Sequence, residues 1–425
     1  MTMNPTEQTP PAAYFGSLTI RNVKCFKDEQ TIDLSDGDGK PALWTVILGN
    51  NNIGKTTLLR CLADLIPNRQ GRPKIADKLH LFPVGISNDG ANPVTISNVF
   101  LIQNNEFFSP ITSGIKGYSK GNKRGRWQMM YRDNELKGFE IRVFCGYGTS
   151  RKMGNTSLSE SENTDNTASL FDDTVTLTNT EEWLLQTFFA EKLGKPKAAE
   201  TLERIKAVLT SGILPDVQEF RFDTTPDFKG FVEVKTDYGW IKLRELGYGY
   251  QVTLAWIVDL AKKLFERYPN SENPLHEPAI VLVDEIDLHL HPDWQRKIIQ
   301  FLSSQFPKTQ FIATTHSPLV VQSADNVNLV ILEKQDDHVT IRQRNDIKSF
   351  KGWTVEEILS DLMGLDDKTL SDDYLKWMRQ FDDGLDHDDY QKAKQAYDAL
   401  DKILNPDNIA QRKLLRIQMA GLMAE

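Results

Sequence analysis

Cysteine is scarce. Three residues, Cys25, Cys61 and Cys145, are scattered over 425 positions without metal-ligand spacing, so neither a disulfide framework nor a zinc site is implied, and a reducing cytoplasm is the expected setting. Long apolar runs are missing: no stretch approaches the ~18 residues of a membrane helix. The polar start MTMNPTEQTPPA lacks the basic-then-apolar order of a secretion signal and reads as a disordered tail over residues 1–13. A surplus of positive charge is missing too. The net charge of −9 argues against a chain that coats nucleic acid with its whole surface, though a local basic patch remains compatible with it. No long heptad array is present, which excludes a long coiled-coil arm. The balance of 40% hydrophobic and 26% charged residues is that of a globular protein with room for two or three domains, or for one large domain with insertions.

The most informative stretch is VILGNNNIGKTTLL, Val46 to Leu59. An apolar run of β-formers breaks into a loop of the form G-x-x-x-x-G-K-[ST], the P-loop. Gly49, Asn50, Asn51, Asn52, Ile53, Gly54, Lys55, Thr56 and Thr57 are the expected phosphate cradle. Backbone N–H groups turn inward there, Lys55 reaches the β/γ oxygens, Thr56 offers a hydroxyl to Mg²⁺, and the following helix adds its positive dipole end. A second apolar run, Ala279 to Val283, ends in Asp284-Glu285. Such a run suits a parallel strand buried on both faces. It would set Asp284 to hold Mg²⁺ and Glu285 to orient or deprotonate water beside the P-loop. FIATTHS, Phe311 to Ser317, repeats the pattern of apolar strand and polar tip, and His316 can donate to the γ-phosphate.

Elsewhere, Tyr14 to Leu34 reads as an antiparallel pair leading to a P-loop strand at Leu43 to Leu48, with strands again at Val94 to Gln103 and Phe139 to Cys145. Between these last two lies KGYSKGNKRGRWQMMYR, with Lys116, Lys120, Lys123, Arg124, Arg126 and Arg132, no acidic residue, and Tyr118, Trp127 and Tyr131 interleaved. Basic groups for phosphates and aromatic faces for bases compose a nucleic-acid surface, and equally a solvated hairpin. GNTSLSESENTDNTAS reads as a polar linker. A helical region follows from Thr180 to about Ser211, with Trp183, Leu184, Phe188 and Leu193 as its apolar face, then short strands at Val217 to Phe222, Phe231 to Lys235 and Trp240 to Leu243.

The order of VILGNNNIGKTT, ELGYGYQVTLAWIVDLA, IVLVDEIDLHLHPDWQ and ATTHSPLVV resembles an ABC-type ATPase of the RecF/SMC/OLD-like group. The resemblance implies an α/β P-loop fold with a mixed sheet, an antiparallel β lobe, a helical insertion and a C-terminal helical subdomain. It also implies ATP with Mg²⁺, a catalytic set of Lys55, Glu285 and His316, and metal contacts from Thr56 and Asp284. The glycine-rich segment corresponds to the signature that closes on ATP held by an opposite subunit. Gly249 and Gln251 fit it, while Gly247 stands where the family has serine, which removes a hydroxyl donor. Asp287 corresponds to the loop crossing that interface, and Gly146 to Arg151 to the joint between lobes. His289 and His291 invite a metal reading, against which the family offers a plainer turn, LHLHP, that opens the next helix.

The expected divisions are lobe I at 14–153, a flexible linker at 154–177, a helical insertion at 178–215, lobe II at 216–350 and a helical tail at 351–425. The tail holds 10 basic against 16 acidic residues and reads as four short helices. It resembles that of ATPase subunits in Septu-like anti-phage systems, which implies a homo-oligomer, at least a dimer, working with a separately encoded nuclease. One rival is an OLD-like enzyme with its own nuclease domain or a DNA-repair ATPase acting directly on DNA. Asp386 and Asp388 are the only candidate pair for such a nuclease, and no apolar strand precedes them. A transporter motor subunit is a further rival, opposed by the RecF-like start IRNVKCF and the helical tail.

Overall fold

The computed structural model describes residues 12–65, 94–104, 107–120, 123–131, 143–155, 165–214, 217–344, 346–347, 349–365 and 370–421. They fall into two compact units, one running to Trp353 and one starting at Thr354. In the first unit, β1 (Ala13–Arg21) and β2 (Gln30–Asp33) form the expected antiparallel pair, and β3 (Trp44–Leu48) leads into α1 (Lys55–Asp64). After these come β4 (Val94–Asn104), β5 (Phe107–Lys120), β6 (Lys123–Tyr131) and β7 (Phe144–Tyr147). The helical hairpin α2 (Thr180–Lys192) and α3 (Pro196–Val208) precedes β8 (Glu219–Thr224), β9 (Gly230–Thr236) and β10 (Gly239–Lys242). The long helix α4 (Tyr248–Arg267) leads to β11 (Ala279–Val283), α5 (Pro292–Gln295), α6 (Ile298–Gln305), β12 (Thr309–Thr315), α7 (Pro318–Gln322), β13 (Asn328–Gln335) and β14 (His338–Gln343).

Three sheets result. The central one has the order β14-β13-β3-β12-β11-β7, parallel except for β14. WTVIL, AIVLV and TQFIATT are buried at every position, which is why they lack the alternation of a half-solvated strand. A second sheet, β2-β1-β4-β5-β6, is wholly antiparallel. The two share a core in which Phe15 stacks on Phe100 at 5.1 Å, beside Leu58, Ile280 and Ile312. Buried Gln310 ties them: its amide oxygen accepts from Phe15 N at 2.8 Å, and its nitrogen donates to Phe15 O and Ala42 O at 2.8 and 3.2 Å. Truncating it would leave those backbone groups unmet, at about 1–3 kcal/mol. The third sheet, β10-β9-β8, carries the helical hairpin, with Phe188 stacked on Phe222 at 4.3 Å.

Two expectations are corrected. Leu193 does not join the apolar face of α2: it is 77% exposed beside Gly194, where the helix has already ended, whereas Trp183 and Leu184 are buried and Phe188 is half-buried against Phe222. The linker expected at 154–177 is not free chain where it is described. Asp165 to Leu170 fold into a turn and a short 3₁₀ helix, Ser169 and Leu170 are buried, and Ser169 donates to Gly146 O at 2.9 Å. Polar composition concealed this because the serine and threonine hydroxyls there bond backbone and side chains of the same lobe. The backbone of Lys116, Lys120, Lys123, Arg124 and Arg126 runs in the β5–β6 hairpin, whereas Arg132 and residues 139–142 of the expected strand lie outside the described residues.

The second unit is helical. Thr354 caps α8 (Val355–Glu357) in a reciprocal capping box with Glu357. The helices α9 (Asp372–Asp386), α10 (Tyr390–Ile403) and α11 (Ile409–Gly421) enclose a core of Phe381, Ala393, Ala396, Leu400, Leu415 and Met419. Among the described residues of the chain, no helix is long and apolar enough to cross a membrane.

Candidate functional site

The site follows from strand order. Because β12 lies between β3 and β11, the residues leaving the carboxyl ends of all three converge. From β3 come Gly49 to Gly54, which turn sharply: Asn52 has φ +60° and Gly54 φ +105°. Glycine is required at 54. A Cβ there would lie 2.8 Å from both Cys25 Sγ and the Phe26 ring, in a backbone conformation that L side chains avoid. Asn50, Asn51 and Asn52 are exposed, and Ile53 and Thr57 are buried beneath the loop.

Lys55 opens α1 and is nearly buried, its ammonium donating to the carbonyls of Gly49 at 2.9 Å and Asn50 at 3.0 Å. Its Nζ also lies 2.6 Å from His316 Nε2. An ammonium can only donate, so Nε2 accepts and the ring proton belongs on Nδ1. Burial, then the neighbouring Lys55 charge, push the His316 pKa below its ordinary value, against the pull of Glu285, Asp287 and Asp284. Burial lowers that of Lys55 as well, and the same three carboxylates resist.

Thr56 Oγ1 donates to Asp284 Oδ2 at 2.6 Å, and Thr314 Oγ1 donates to the other oxygen, Oδ1, at 2.6 Å. Thr314 Oγ1 in turn accepts from Glu285 N at 2.7 Å, so one β12 threonine orients both acids. Glu285 itself is left-handed, φ +48°, and its carboxylate lies 3.8 Å from His316 Nε2. Such a conformation costs a non-glycine residue on the order of 1 kcal/mol or more and is found where a side chain must be aimed. Asp287 is fixed by Thr315 Oγ1 at 2.5 Å. A hydroxyl and a carboxylate converging at one point are hard oxygen donors of the kind that suit Mg²⁺.

The glycine-rich segment packs against the turn after β11. Gly247 precedes α4, and a Cβ on Gly249 would come within 2.5 Å of His289 O, so only glycine allows this approach. The Tyr248 ring meets the His289 ring edge-on at 4.9 Å. Gln251 spends its amide nitrogen on Arg244 O and Leu246 O at 2.9 and 2.8 Å, bracing its own turn. His291 caps α5, accepting from Asp293 N at 3.3 Å, and among the described residues no cluster of three or more histidine, cysteine or acidic side chains could hold a metal ion.

Sequence reading missed two members of this constellation. Thr314 had no signal of its own. Arg151 stood in a segment singled out only as a joint, yet it is 1% exposed and its Nη2 donates to Glu285 O at 2.7 Å.

A parallel sheet with this loop at the end of one strand, an Asp-Glu pair two strands away and a histidine between them defines a P-loop nucleotide-binding protein. Residues 44–322 match the family described as AAA domain, putative AbiEii toxin, Type IV TA system, and the chain belongs to that family. It is an ATPase-family protein related to a Septu protein PtuA of Bacillus thuringiensis, 35% identical over 56% of this chain and 60% of that one. A Septu protein PtuA of Bacillus mycoides is 27% identical over 83% of this chain and 45% of that one. The retron Ec83 probable ATPase of Escherichia coli is 36% identical over 33% of this chain and 25% of its own length. The chain thus spans about half the length of the two PtuA relatives it matches. Among solved structures, an SmcHead bound to the C-winged helix domain of ScpA aligns at TM-score 0.47 and 14% identity, over 78% of this chain and 97% of that one.

Proposed function

We propose that the chain binds and hydrolyses ATP with Mg²⁺, and that nucleotide-dependent closure of an oligomer is relayed to DNA or to a separately encoded effector nuclease in anti-phage defence. The observation that carries this reading is the convergence of Lys55, Thr56, Asp284, Glu285 and His316 at the ends of three neighbouring strands. Lys55 would exchange its loop carbonyls for phosphate oxygens, and His316, released from it, would turn to the γ-phosphate. Glu285 would take the proton of the attacking water. Thr56 and Asp284 would hold Mg²⁺, whose chemistry is to neutralise charge building on the phosphates. Relatedness to the PtuA proteins and to a retron ATPase supports the defence setting. Each nucleotide would be completed by the Gly247 to Gly249 backbone and the α4 N-terminus of a second chain.

Glu285→Gln is the test. It keeps the shape of the site but removes the base, so with Mg-ATP it should accumulate a heavier species in light scattering, while wild type returns to its starting mass as ATP is consumed. Lys55→Ala, which loses the phosphate contact, is the control that stays unchanged. An identical mass for Glu285→Gln with and without Mg-ATP would refute nucleotide-driven assembly.

A further inference from the structure

Arg151 is the largest side chain buried to below 2% exposure in the described structure. It lies on no strand or helix: it follows β7 by four residues and has φ +36°, a left-handed backbone at a non-glycine residue. One guanidinium nitrogen donates to the Glu285 carbonyl, and Nε has no partner among the described residues. Burial pushes its pKa down to about 10, while Asp284, Asp287, Glu285 and Tyr248 favour the charged form. A buried cation with an unmet donor is a poor packing element, since an apolar side chain of similar volume would serve stability as well or better.

Its carrier segment is braced on both sides. Tyr147 O accepts from Asp284 N at 2.8 Å, and Tyr147 OH donates at 2.8 Å to Asp259 on α4, which also accepts from Lys263 at 2.6 Å. Ser150 Oγ donates to Asp173 O at 2.8 Å. Arg151 therefore reaches Glu285 from a fixed platform, and the two left-handed residues meet at a single hydrogen bond.

We propose that Arg151 is a positioning residue. Its guanidinium clamps the Glu285 carbonyl and thereby keeps the Glu285 carboxylate turned toward His316 and the P-loop. This rests on the reading of the site as an ATP-hydrolysing centre. Because the clamp holds the backbone of the residue that handles water and touches no phosphate contact, its loss should slow turnover and spare nucleotide affinity.

The measurement is steady-state ATP hydrolysis with ATP binding determined separately. Arg151→Lys retains the charge but has neither the planar fork nor the full reach. It should lower kcat about ten- to a hundredfold with ATP affinity within about threefold. The deficit should vanish in the Glu285→Gln background, where no carboxylate remains to be aimed. Added guanidinium should restore part of the turnover of Arg151→Ala, a rescue that a merely structural role would not give. An Arg151→Lys protein with wild-type kcat overturns the proposal, as does a parallel loss of kcat and affinity. If Arg151→Ala does not fold, the lysine variant alone decides. A wild type that binds ATP without hydrolysing it removes the underlying functional reading, whereas an active wild type insensitive at Arg151 removes the clamp alone.

Discussion

At the scale of single residues, the contact between Lys55 and His316 gives the protein a definite acid response. The His316 pKa is lowered in the folded chain, so the neutral ring contributes stability above the unfolded value of about 6.5. That contribution is lost as pH falls through the folded value. The difference in melting temperature between wild type and His316→Gln should therefore be largest near pH 8 and shrink toward pH 5. A constant difference across that range would show that His316 is not the neutral acceptor of Lys55.

At the scale of elements, the β5–β6 hairpin carries a cluster of positive charge in an otherwise acidic chain. Its backbone register sets Lys120 opposite Lys123 and Tyr118 opposite Arg126. If the cluster meets DNA phosphates, replacing Lys123, Arg124 and Arg126 with alanine should flatten the salt dependence of DNA affinity by up to about three counter-ions. The loss should be nearly the same for every sequence tested. A slope unchanged from wild type would return the hairpin to the role of a solvated surface.

At the scale of the molecule, the helical unit after Trp353 has its own core and contributes none of the candidate site residues. Removal of everything from Asp372 onward should leave ATP binding by the P-loop within about twofold, since no phosphate contact is touched, while disrupting assembly or, if an effector nuclease is the partner, its capture. Calorimetry of ATP binding together with co-purification checks both halves. Lost ATP affinity in a soluble truncation would mean that the helices support the ATPase lobe.

The P-loop, the Asp-Glu pair and His316 were legible in the sequence because each sits where a continuous apolar run stops. A strand buried on both faces must be apolar throughout, so its end is marked by the first polar residues. Gly54 was legible from the loop motif and Gly249 from the family resemblance, and the fold adds that both meet close packing that excludes a Cβ. Strand order was not written there. Only the placement of β12 between β3 and β11 brings Thr314 under both acids, and no local pattern distinguishes that threonine from its neighbours. The folded loop at Asp165 to Leu170 was hidden because a polar stretch reads alike whether its hydroxyls meet water or a neighbouring backbone. Arg151 was hidden for the opposite reason. A charged residue in a glycine-containing segment implies solvent, and burial came only when β7 paired with β11 and carried the guanidinium beneath Glu285. Sequence determined which residues could do chemistry. The fold decided which of them meet, because that depends on pairing between strands that lie apart in the chain, β3 with β12, β12 with β11 and β11 with β7.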